Sequence, residues 1–268
     1  MVAVSKQRIR SLQKKVLGRY AKHKRVLPWR DTFDGYKVLV SESMLQQTQV
    51  DRVIPKFNAF MHRLPTMADL AEVDKVTLLT LWSGLGFNAR ALRLQQCAQE
   101  VCARFGGKLP KDRETLRSLP GIGPYTSASL LAFAYNISAP VIDTNIRRVL
   151  LHELQIAEPN TLLEREALAS ACIPEWKSND RHNALMDYGS LIATAKSTWI
   201  KPLSKQSPFS WSVRQARGQI LKSLLAYGHL SQKQLLDLIP HEHLERALAT
   251  LIKEGTVVLE KRKYGIKK

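Results

Sequence analysis

Two segments of the sequence carry side chains whose types and spacing are suited to chemistry. In the first, LPGIGPYTSASLLAF, a tight turn containing Gly121 and Gly123 precedes a predicted helix. Glycines let the backbone come close to a partner, and the exposed N–H groups at the start of the helix favour an anion such as phosphate. Considered alone, the turn is more simply explained as a structural corner between two helices.

The second segment, APVIDTNIRRVL, follows about twenty residues later and places Asp143 at the end of an apolar run. This is the position of a helix N-cap, and Asn145, Arg147 and Arg148 come soon after it. A further carboxylate, Glu42 in SESMLQQT, lies at the start of a predicted helix, where the helix dipole stabilises an acid. In isolation, these two structural roles explain both carboxylates.

The elements that must position these side chains are helices. Apolar residues recur at three- and four-residue spacing, and short turns containing Pro or Gly separate the periodic segments. No run of alternating strands interrupts them. The sequence therefore predicts an all-α domain over residues 1–203, with helices over 43–61, 67–81, 88–104, 112–118, 126–135, 144–154, 161–171 and 180–195.

A smaller module is predicted at the end of the chain, over 208–268. It follows a linker around 196–210 that is rich in Lys, Ser and Pro. Three helices, Val213–Tyr227, Ser231–Leu238 and His241–Lys253, precede a hairpin with a basic tip, which is the winged-helix arrangement. Arg246 and the tip, 261–263, are candidate DNA contacts. Protein–protein contact is the alternative, because Glu242 and Glu245 on the third helix do not favour phosphate.

Composition indicates a folded, basic protein with a polyanionic partner. The 268 residues include 44% hydrophobic ones, and 41 Lys and Arg against 23 Asp and Glu give a net charge of +18. Residues 1–30 contribute +10 and residues 208–268 contribute +6. Nucleic acid is the commonest partner of such a protein, and a ribosome-associated factor is the less specific alternative.

Secretion and membrane spanning are not expected. The first residues lack the apolar run of a signal peptide, and no stretch of about 18 apolar residues occurs. The three cysteines, Cys97, Cys102 and Cys172, are too widely spread for a zinc or disulfide framework and fit a reducing compartment.

Several blocks of the sequence resemble one family. LPGIGPYTSA followed by VIDTNIRRVL resembles the helix-hairpin-helix and Gly/Pro-Asp signature of the DNA glycosylase superfamily that includes endonuclease III. LPWR (27–30), YKVLVSESMLQQTQVDRVIPKF (36–57) and LWSGLGFNARA (81–91) resemble blocks of the MutY-type adenine DNA glycosylases. The similarity runs in order over roughly 5–195, and it implies a six-helix barrel with a second helical lobe.

The resemblance implies a base excision repair enzyme that hydrolyses the N-glycosidic bond of adenine opposite 8-oxoguanine or guanine. Glu42 matches the acid that protonates the departing adenine and then helps water attack, and Asp143 matches the carboxylate that stabilises the sugar cation. The chemistry agrees, because this cleavage builds positive charge on the sugar and negative charge on the base. Asn145 joins the catalytic group.

Tyr125 matches the position of the Schiff-base lysine in bifunctional relatives. A phenol cannot form an imine, so no lyase step is expected, and Tyr125 is expected to hydrogen-bond near Asp143. Packing in the core is the alternative role.

DNA contacts are also implied by the resemblance. Gln47 matches the residue that is inserted into the duplex when the nucleotide is extruded, with Leu45 and Phe87 as apolar wedges or, alternatively, core residues. The other implied DNA-binding residues are Arg30, Thr48, Gly121 and Gly123.

Two departures from the family limit what it implies. Its members usually carry four cysteines that bind an iron–sulfur cluster after a segment like NALMDYGSL, whereas here no cysteine follows Cys172. No cofactor or metal is therefore expected. The winged-helix module also stands where MutY-type proteins have a hydrolase-like domain that reads 8-oxoguanine.

Two other functions stay open: a mismatch glycosylase that removes thymine or uracil opposite guanine, and a catalytically silent DNA-binding protein. The expected partner is double-stranded DNA with a mismatch or an oxidised base, bound by a monomer. No membrane partner is expected, and protein partners are left unassigned. The expected location is the cytoplasm, at a bacterial or archaeal nucleoid, or a eukaryotic nucleus.

Overall fold

The computed structural model describes residues 4–159, 161–172, 178–201 and 208–267. The fold is predominantly helical, as the sequence predicts, and a small antiparallel sheet lies near the end of the chain. Among the described residues, no helix combines the length and the apolar character needed to cross a membrane. The helices are α1 (Lys6–His23), α2 (Gly35–Leu45), α3 (Val50–Arg63), α4 (Met67–Glu72), α5 (Lys75–Trp82), α6 (Ala89–Phe105), α7 (Arg113–Ser118), α8 (Pro124–Ala134), α9 (Thr144–Leu154), α10 (Leu162–Cys172), α11 (Ser178–Leu191), α12 (Ala195–Thr198), α13 (Val213–Tyr227), α14 (Gln232–Leu238) and α15 (Leu244–Lys253), and the strands are β1 (Leu230–Ser231), β2 (Val257–Glu260) and β3 (Lys263–Ile266).

The chain forms two compact units, each built from two separate segments. The first unit consists of Met1–Glu42 and Lys108–Ser204, and the second unit consists of Ser43–Gly107 and Lys205–Lys268. The sequence predicts instead a division into consecutive domains, joined by a linker around 196–210. Residues 202–207 of that linker lie outside the described residues. The C-terminal module packs against residues 43–107, which are distant in sequence, and hydrophobic periodicity does not predict such long-range contacts.

The core of the first unit forms where the basic helix α1 packs against α9, α10 and α11. Leu12 and Val16 of α1 are buried in a cluster with Ile146 and Leu150 of α9. The charged side chains of α1 flank this apolar stripe, and Lys15 pairs with Glu153 at 2.8 Å. The N-terminal +10 segment is thus partly a structural element and not merely a basic arm.

The region around Glu42 differs from the sequence prediction of one helix over 43–61. Helix α2 begins at Gly35, where Asp34 Oδ1 accepts the Tyr36 N–H at 2.9 Å, and it ends at Leu45 before a turn. Gln47 in that turn has a φ of 57°, which breaks the helix, and α3 starts at Val50. Glu42 therefore lies in the last turn of α2, so a helix-start role stabilised by the dipole is wrong.

The segment predicted as one helix over 67–81 is also two helices. Helix α4 ends at Glu72, and Asp74 then caps α5 by accepting the Thr77 N–H at 2.9 Å. An aspartate favours the N-cap because its side chain satisfies an N–H group that has no partner within the helix. The apolar periodicity runs through this junction and masks it.

The C-terminal module, residues 213–266, has the element order predicted for a winged helix. Helices α13, α14 and α15 precede the hairpin of β2 and β3, whose tip residues Lys261 and Arg262 both have positive φ. The sequence prediction misses the two-residue strand β1, which pairs with β3 at Leu230 and Tyr264. The resulting sheet has the order β1-β3-β2.

Candidate active site

Three helices bring together, within the first unit, the carboxylates and the phenol singled out in the sequence. Glu42 lies on α2, Tyr125 lies in the first turn of α8, and Asp143 is the N-cap of α9. The hydroxyl groups of Tyr125 and Ser129 hydrogen-bond to the Glu42 carboxylate, and the charge of Asp143 acts on the same group. The residues that the resemblance implies as catalytic therefore form one cluster.

Ser129 is a member of this cluster that the sequence prediction misses. It lies four residues after Tyr125, so both side chains lie on the same face of α8. Its side chain is buried, and its Oγ lies 3.0 Å from the carbonyl oxygen of Thr126, a second acceptor for its single hydroxyl proton. The spacing of Tyr125 and Ser129 is the signal that would have identified it, once α2 is known to face α8.

The environment of Glu42 makes its carboxyl a weaker acid than usual. Its side chain is only 6% exposed, and this burial raises the pKa of the Glu42 carboxyl to about 7. The nearby Asp143 raises that pKa further, whereas the hydrogen bonds from Tyr125 and Ser129 lower it. A carboxyl with a pKa of about 7 is substantially protonated at neutral pH, so Glu42 can donate a proton.

Asp143 is held by two donors that favour its ionised form. Its Oδ1 accepts the Ile146 N–H at 2.6 Å, and its Oδ2 accepts from Nδ2 of Asn145 at 3.0 Å. Burial raises the pKa of the Asp143 carboxyl, whereas these hydrogen bonds and the charge of Arg148 lower it. The N-cap role is therefore real, and each oxygen still has a lone pair for a further interaction.

Arg148 supports Asp143 through Asn145. Its guanidinium is buried, and Nη1 donates to Asn145 Oδ1 at 3.1 Å and to the carbonyls of Gly189 at 3.1 Å and Ala193 at 3.3 Å. These contacts fix the Asn145 amide, which in turn fixes the Asp143 carboxylate. The sequence shows Arg148 only as part of a basic pair, and its burial was not evident from that pattern.

Tyr125 remains a protonated donor in this cluster. Burial, together with the charges of Glu42 and Asp143, raises the pKa of the Tyr125 phenol well above its usual value of 10.0. The sequence predicts that Tyr125 hydrogen-bonds near Asp143. In the structure, the partner of its phenol hydrogen bond is Glu42. The site thus contains an acid, an anion and a phenol, and among these three groups no primary amine is present.

A glycine on α11 allows the close packing that holds Asn145. A Cβ added at Gly189 would lie 2.8 Å from the Asn145 carbonyl oxygen and 2.9 Å from the Asn145 Cβ. Helix α11 therefore approaches α9 more closely than any other residue type would allow, and this approach supports the active-site cluster.

Replacing Gly189 with alanine is expected to destabilise the protein by about 1–3 kcal/mol and to lower its activity, because the added methyl group displaces Asn145. Urea denaturation and excision rates would measure both effects. Gly18→Ala is the matched control, since nothing lies within 4 Å of a Cβ at this helical position. The control is expected to stabilise the fold by up to about 1 kcal/mol. Equal behaviour of the two variants would contradict the packing argument.

The hairpin between α7 and α8 exposes backbone. Gly121 is exposed with a φ of 77°, where a side chain would be strained, and Gly123 is the N-cap of α8. Ile122 between them is buried and anchors the turn. The geometry is that of the predicted helix-hairpin-helix motif, and its role in phosphate binding stays a prediction.

The predicted DNA-contacting residues of the second unit lie on two turns with unusual backbone. Gln47 is exposed at a φ of 57°, and Phe87 is 39% exposed at a φ of 48°. Positive φ is uncommon for residues other than glycine, and such outliers cluster at functional sites. Leu45 and Thr48 are partly buried beside Gln47, and the Thr48 hydroxyl donates to the Leu85 carbonyl at 3.4 Å.

Arg90 joins these two turns and is a residue that the sequence prediction misses. Its Nη1 donates to the carbonyls of Ser43 at 2.7 Å and Gln46 at 2.6 Å, at the end of α2. Its Nη2 donates to the carbonyl of Gly86 at 3.1 Å and to the Thr48 hydroxyl at 3.3 Å. One guanidinium therefore holds the turn of Gln47 and the turn of Phe87 together.

The prediction that Arg30 contacts DNA is wrong. Its side chain is only 5% exposed, and its guanidinium forms a bidentate ion pair with Asp187. Nη1 donates to Oδ2 at 2.8 Å, and Nη2 donates to Oδ1 at 2.7 Å. Arg25 binds the same carboxylate at 2.6 Å. A buried guanidinium engaged in this way is not available to DNA, so the structure assigns Arg30 to the fold of the first unit. The sequence around Arg30 does not indicate this ion pair, because Asp187 is distant in sequence.

The cysteines do not fit the iron–sulfur cluster of the family. A cluster held by four thiolates needs four cysteines, and the chain has three. Cys97 and Cys102 lie on α6 of the second unit, and Cys172 ends α10 of the first. Burial raises the pKa of Cys97 to about 12 and that of Cys172 to about 11, which disfavours the thiolate that a metal requires.

The purified protein is accordingly expected to lack the visible absorbance of an iron–sulfur cluster and to remain folded and active after treatment with an iron chelator. Absorption spectroscopy and elemental analysis would measure this. Iron bound in stoichiometric amount would contradict the prediction.

Comparison with known proteins places the chain in a family. The model of the HhH-GPD superfamily of base excision DNA repair proteins matches residues 40–174. The adenine DNA glycosylase of Mycolicibacterium smegmatis is 33% identical over 267 residues, which cover 90% of this chain and 91% of that protein. Human adenine DNA glycosylase is 36% identical over 229 residues, which cover 81% of this chain but only 41% of the human protein.

Solved structures agree with this relationship. A thermostable thymine-DNA glycosylase matches with a TM-score of 0.66 and 25% identity, covering 72% of this chain and 90% of that one. The match to the superfamily model spans Glu42, Tyr125 and Asp143, the three residues that the fold brings together. The chain therefore belongs to the HhH-GPD superfamily of base excision DNA repair proteins, in the family of the MutY-type adenine DNA glycosylases.

Proposed function

We propose that this protein is a monofunctional DNA glycosylase that removes adenine mispaired with 8-oxoguanine or guanine. The observation that carries this proposal is the buried Glu42, with a pKa of about 7, beside the hydrogen-bonded Asp143. Burial raises the pKa of both carboxyl groups, but at Asp143 the hydrogen bonds from Ile146 and Asn145 and the charge of Arg148 oppose that shift, so the pair is suited to act as acid and as anion. The adenine glycosylase relatives support adenine as the base.

In the proposed mechanism, Glu42 donates its proton to the departing adenine as the N-glycosidic bond breaks. The proton neutralises the charge that builds on the base, and the Asp143 carboxylate stabilises the positive charge on the deoxyribose. Water then adds to the sugar, and the ionised Glu42 accepts a proton from it. Glu42 is thereby protonated again, and the products are free adenine and an abasic site.

Tyr125 would keep this reaction monofunctional. A lyase step needs an amine that forms an imine with the sugar, and the phenol at this position cannot form one. Its hydrogen bond instead orients the Glu42 carboxyl. The product is therefore an intact strand with an abasic site, which breaks only on treatment with alkali.

Substrate binding is proposed to involve the turns of Gln47 and Phe87 and the Gly121–Gly123 hairpin. Gln47 would fill the space left by the extruded nucleotide, with Leu45 and Phe87 separating neighbouring base pairs and Thr48 supporting the turn. The hairpin would hold a phosphate through its backbone N–H groups. The net charge of +18 favours the approach of DNA. We further propose that the protein acts as a monomer, without a cofactor, wherever chromosomal DNA is located.

A panel of duplexes tests the proposed function. Each duplex carries one mismatch, A:8-oxoguanine, A:G, T:G or U:G, or a normal A:T pair, and abasic sites are detected by cleavage with alkali. We expect excision of adenine from the first two duplexes and none from A:T. Excision from T:G or U:G alone would instead establish the thymine or uracil activity, which the similarity to a thymine-DNA glycosylase makes the second candidate.

The same panel tests the third alternative, a DNA-binding protein without catalysis. Binding to these duplexes with no abasic sites on any of them would establish it. Abasic sites that are formed by the wild type and not by an Asp143→Asn variant would exclude it.

A further inference from the structure

The ring of Phe87 lies between two guanidinium groups of the second unit. Arg90 Cζ is 5.4 Å from the ring centroid, and Arg214 Cζ is 5.7 Å from it. Arg90 belongs to α6, close to Phe87 in sequence, whereas Arg214 belongs to α13 of the C-terminal module. Both are positioned for cation–π interaction. The module therefore contacts the residue that is proposed to enter the duplex.

Arg214 is held firmly at the start of its helix. Ser212 caps α13 by accepting the Gln215 N–H at 3.2 Å, and the buried face of α13 packs against α15 and β3. The same helix also packs against α5, which ends just before the Phe87 turn. The Arg214 guanidinium additionally lies over Phe209 at 5.4 Å. The packing of α13 thus fixes the backbone of Arg214, and Phe87 and Phe209 lie beside its guanidinium.

The Phe87 turn itself has a strained conformation that needs support. A bulky aromatic residue at a φ of 48° is an outlier, and such conformations persist only where the surroundings determine them. Arg90 fixes the backbone of the turn through the carbonyls of Leu85 and Gly86. Phe87 is still 39% exposed, and the guanidinium of Arg214 from the C-terminal module lies over its ring.

We propose that the C-terminal module positions Phe87 for mismatch recognition, with Arg214 as the positioning residue. The proposal rests on the proposed function, because it takes Phe87 to be inserted into duplex DNA. A ring that is held in place before binding loses less conformational freedom on insertion. The resulting gain in affinity therefore applies only to a duplex that is opened to receive the ring. The module thus increases discrimination between mismatched and matched DNA, in addition to any charge-based affinity.

The two roles open to Arg214 predict different dependences on salt. A phosphate contact contributes to binding of any duplex, and its loss lowers the salt slope by about one unit. A positioning residue contributes to binding of the mismatch and leaves the salt slope unchanged. Measuring affinity for matched and mismatched duplexes over a range of salt concentrations therefore separates the roles.

The test uses the full chain and a double-mutant cycle of Arg214→Ala and Phe87→Ala. The mismatched probe contains 2′-fluoro-2′-deoxyadenosine opposite 8-oxoguanine, which resists excision, and the matched probe contains A:T. We expect Arg214→Ala to reduce the ratio of mismatched to matched affinity about five- to tenfold at an unchanged salt slope, and to have no further effect on the Phe87→Ala background. Lys222→Ala, an exposed position on the same helix, is expected to leave the ratio unchanged.

Three results would overturn the proposal. The first is that Arg214→Ala loses affinity equally for both duplexes and has a lower salt slope. The second is that the effects of Arg214→Ala and Phe87→Ala on the affinity ratio are additive. The third is that Lys222→Ala lowers the affinity ratio as much as Arg214→Ala. Arg214→Gln and the melting temperature of each variant exclude misfolding as the cause. If the wild type forms no abasic sites, the proposed function fails, and the cycle still tests the coupling of Arg214 to Phe87 through binding alone.

Discussion

Replacing Asp143 with asparagine is expected to lower the rate of adenine excision by about two to three orders of magnitude while leaving DNA binding nearly intact. The amide has the same shape as the carboxylate, and its oxygen can still accept the Ile146 N–H that caps α9. It lacks the negative charge that stabilises the sugar cation, and its NH2 group cannot accept the hydrogen bond that Asn145 Nδ2 donates to Asp143 Oδ2. The loss of one such electrostatic contact costs about 10²–10³-fold in rate. Single-turnover excision and equilibrium binding to the mismatched duplex would measure the two effects.

Asp143→Ala provides the control for the structural role. It removes both the charge and the cap, so it is expected to lose a similar amount of activity and, in addition, about 0.5–2 kcal/mol of stability. A parallel loss of binding and catalysis in Asp143→Asn would show that the residue acts mainly as a cap. Retained catalysis would remove Asp143 from the mechanism.

The composition of the candidate active site is largely predictable from the sequence, because its members lie in short motifs. Glu42, Tyr125 and Asp143 each occupy a recognisable segment, and the structure brings all three together. Ser129 and Arg148 were not predicted, since a serine on a helix and one arginine of a pair have no distinctive local pattern. Their importance depends on which face of α8 or α9 is buried, and tertiary packing decides that.

Errors arose where a side chain has a partner far along the chain. Arg30 has the sequence context of a DNA contact, and only the fold reveals its pairing with Asp187. The division into consecutive domains likewise missed that 43–107 and 213–266 belong to one unit. Periodicity reports which face of a helix is apolar, but not which segment covers it.

Glu42→Gln is expected to reduce excision by about 10²–10⁴-fold and, at the same time, to stabilise the fold at alkaline pH. Because the proposed mechanism requires protonated Glu42, the wild-type rate is expected to rise as the pH falls through about 7, and this dependence should be absent from the residual activity of the variant. Single-turnover rates measured between pH 5.5 and 8.5, a window chosen as roughly 1.5 units on either side of that pKa, would show both effects.

The stability effect follows from the same pKa. Folding raises the pKa of Glu42 from 4.5 to about 7, so the folded state holds this proton more tightly than the unfolded state. The stabilisation is fully present below about pH 4.5 and is lost as the pH rises through about 7, with a total of about 3 kcal/mol. Glutamine does not titrate, so the variant should exceed the wild type in free energy of unfolding at pH 8, and the difference should shrink toward pH 5.

Ser129→Ala is the matched control for this argument. It removes one hydrogen bond that lowers the pKa of Glu42 but keeps the carboxyl, so the pH dependence of excision should shift to higher pH while activity at neutral pH is retained. Urea denaturation of both variants at pH 5 and pH 8 completes the comparison. If Glu42→Gln changed stability equally at both pH values, its effect would come from packing, and a proton held on Glu42 in the folded state would be excluded.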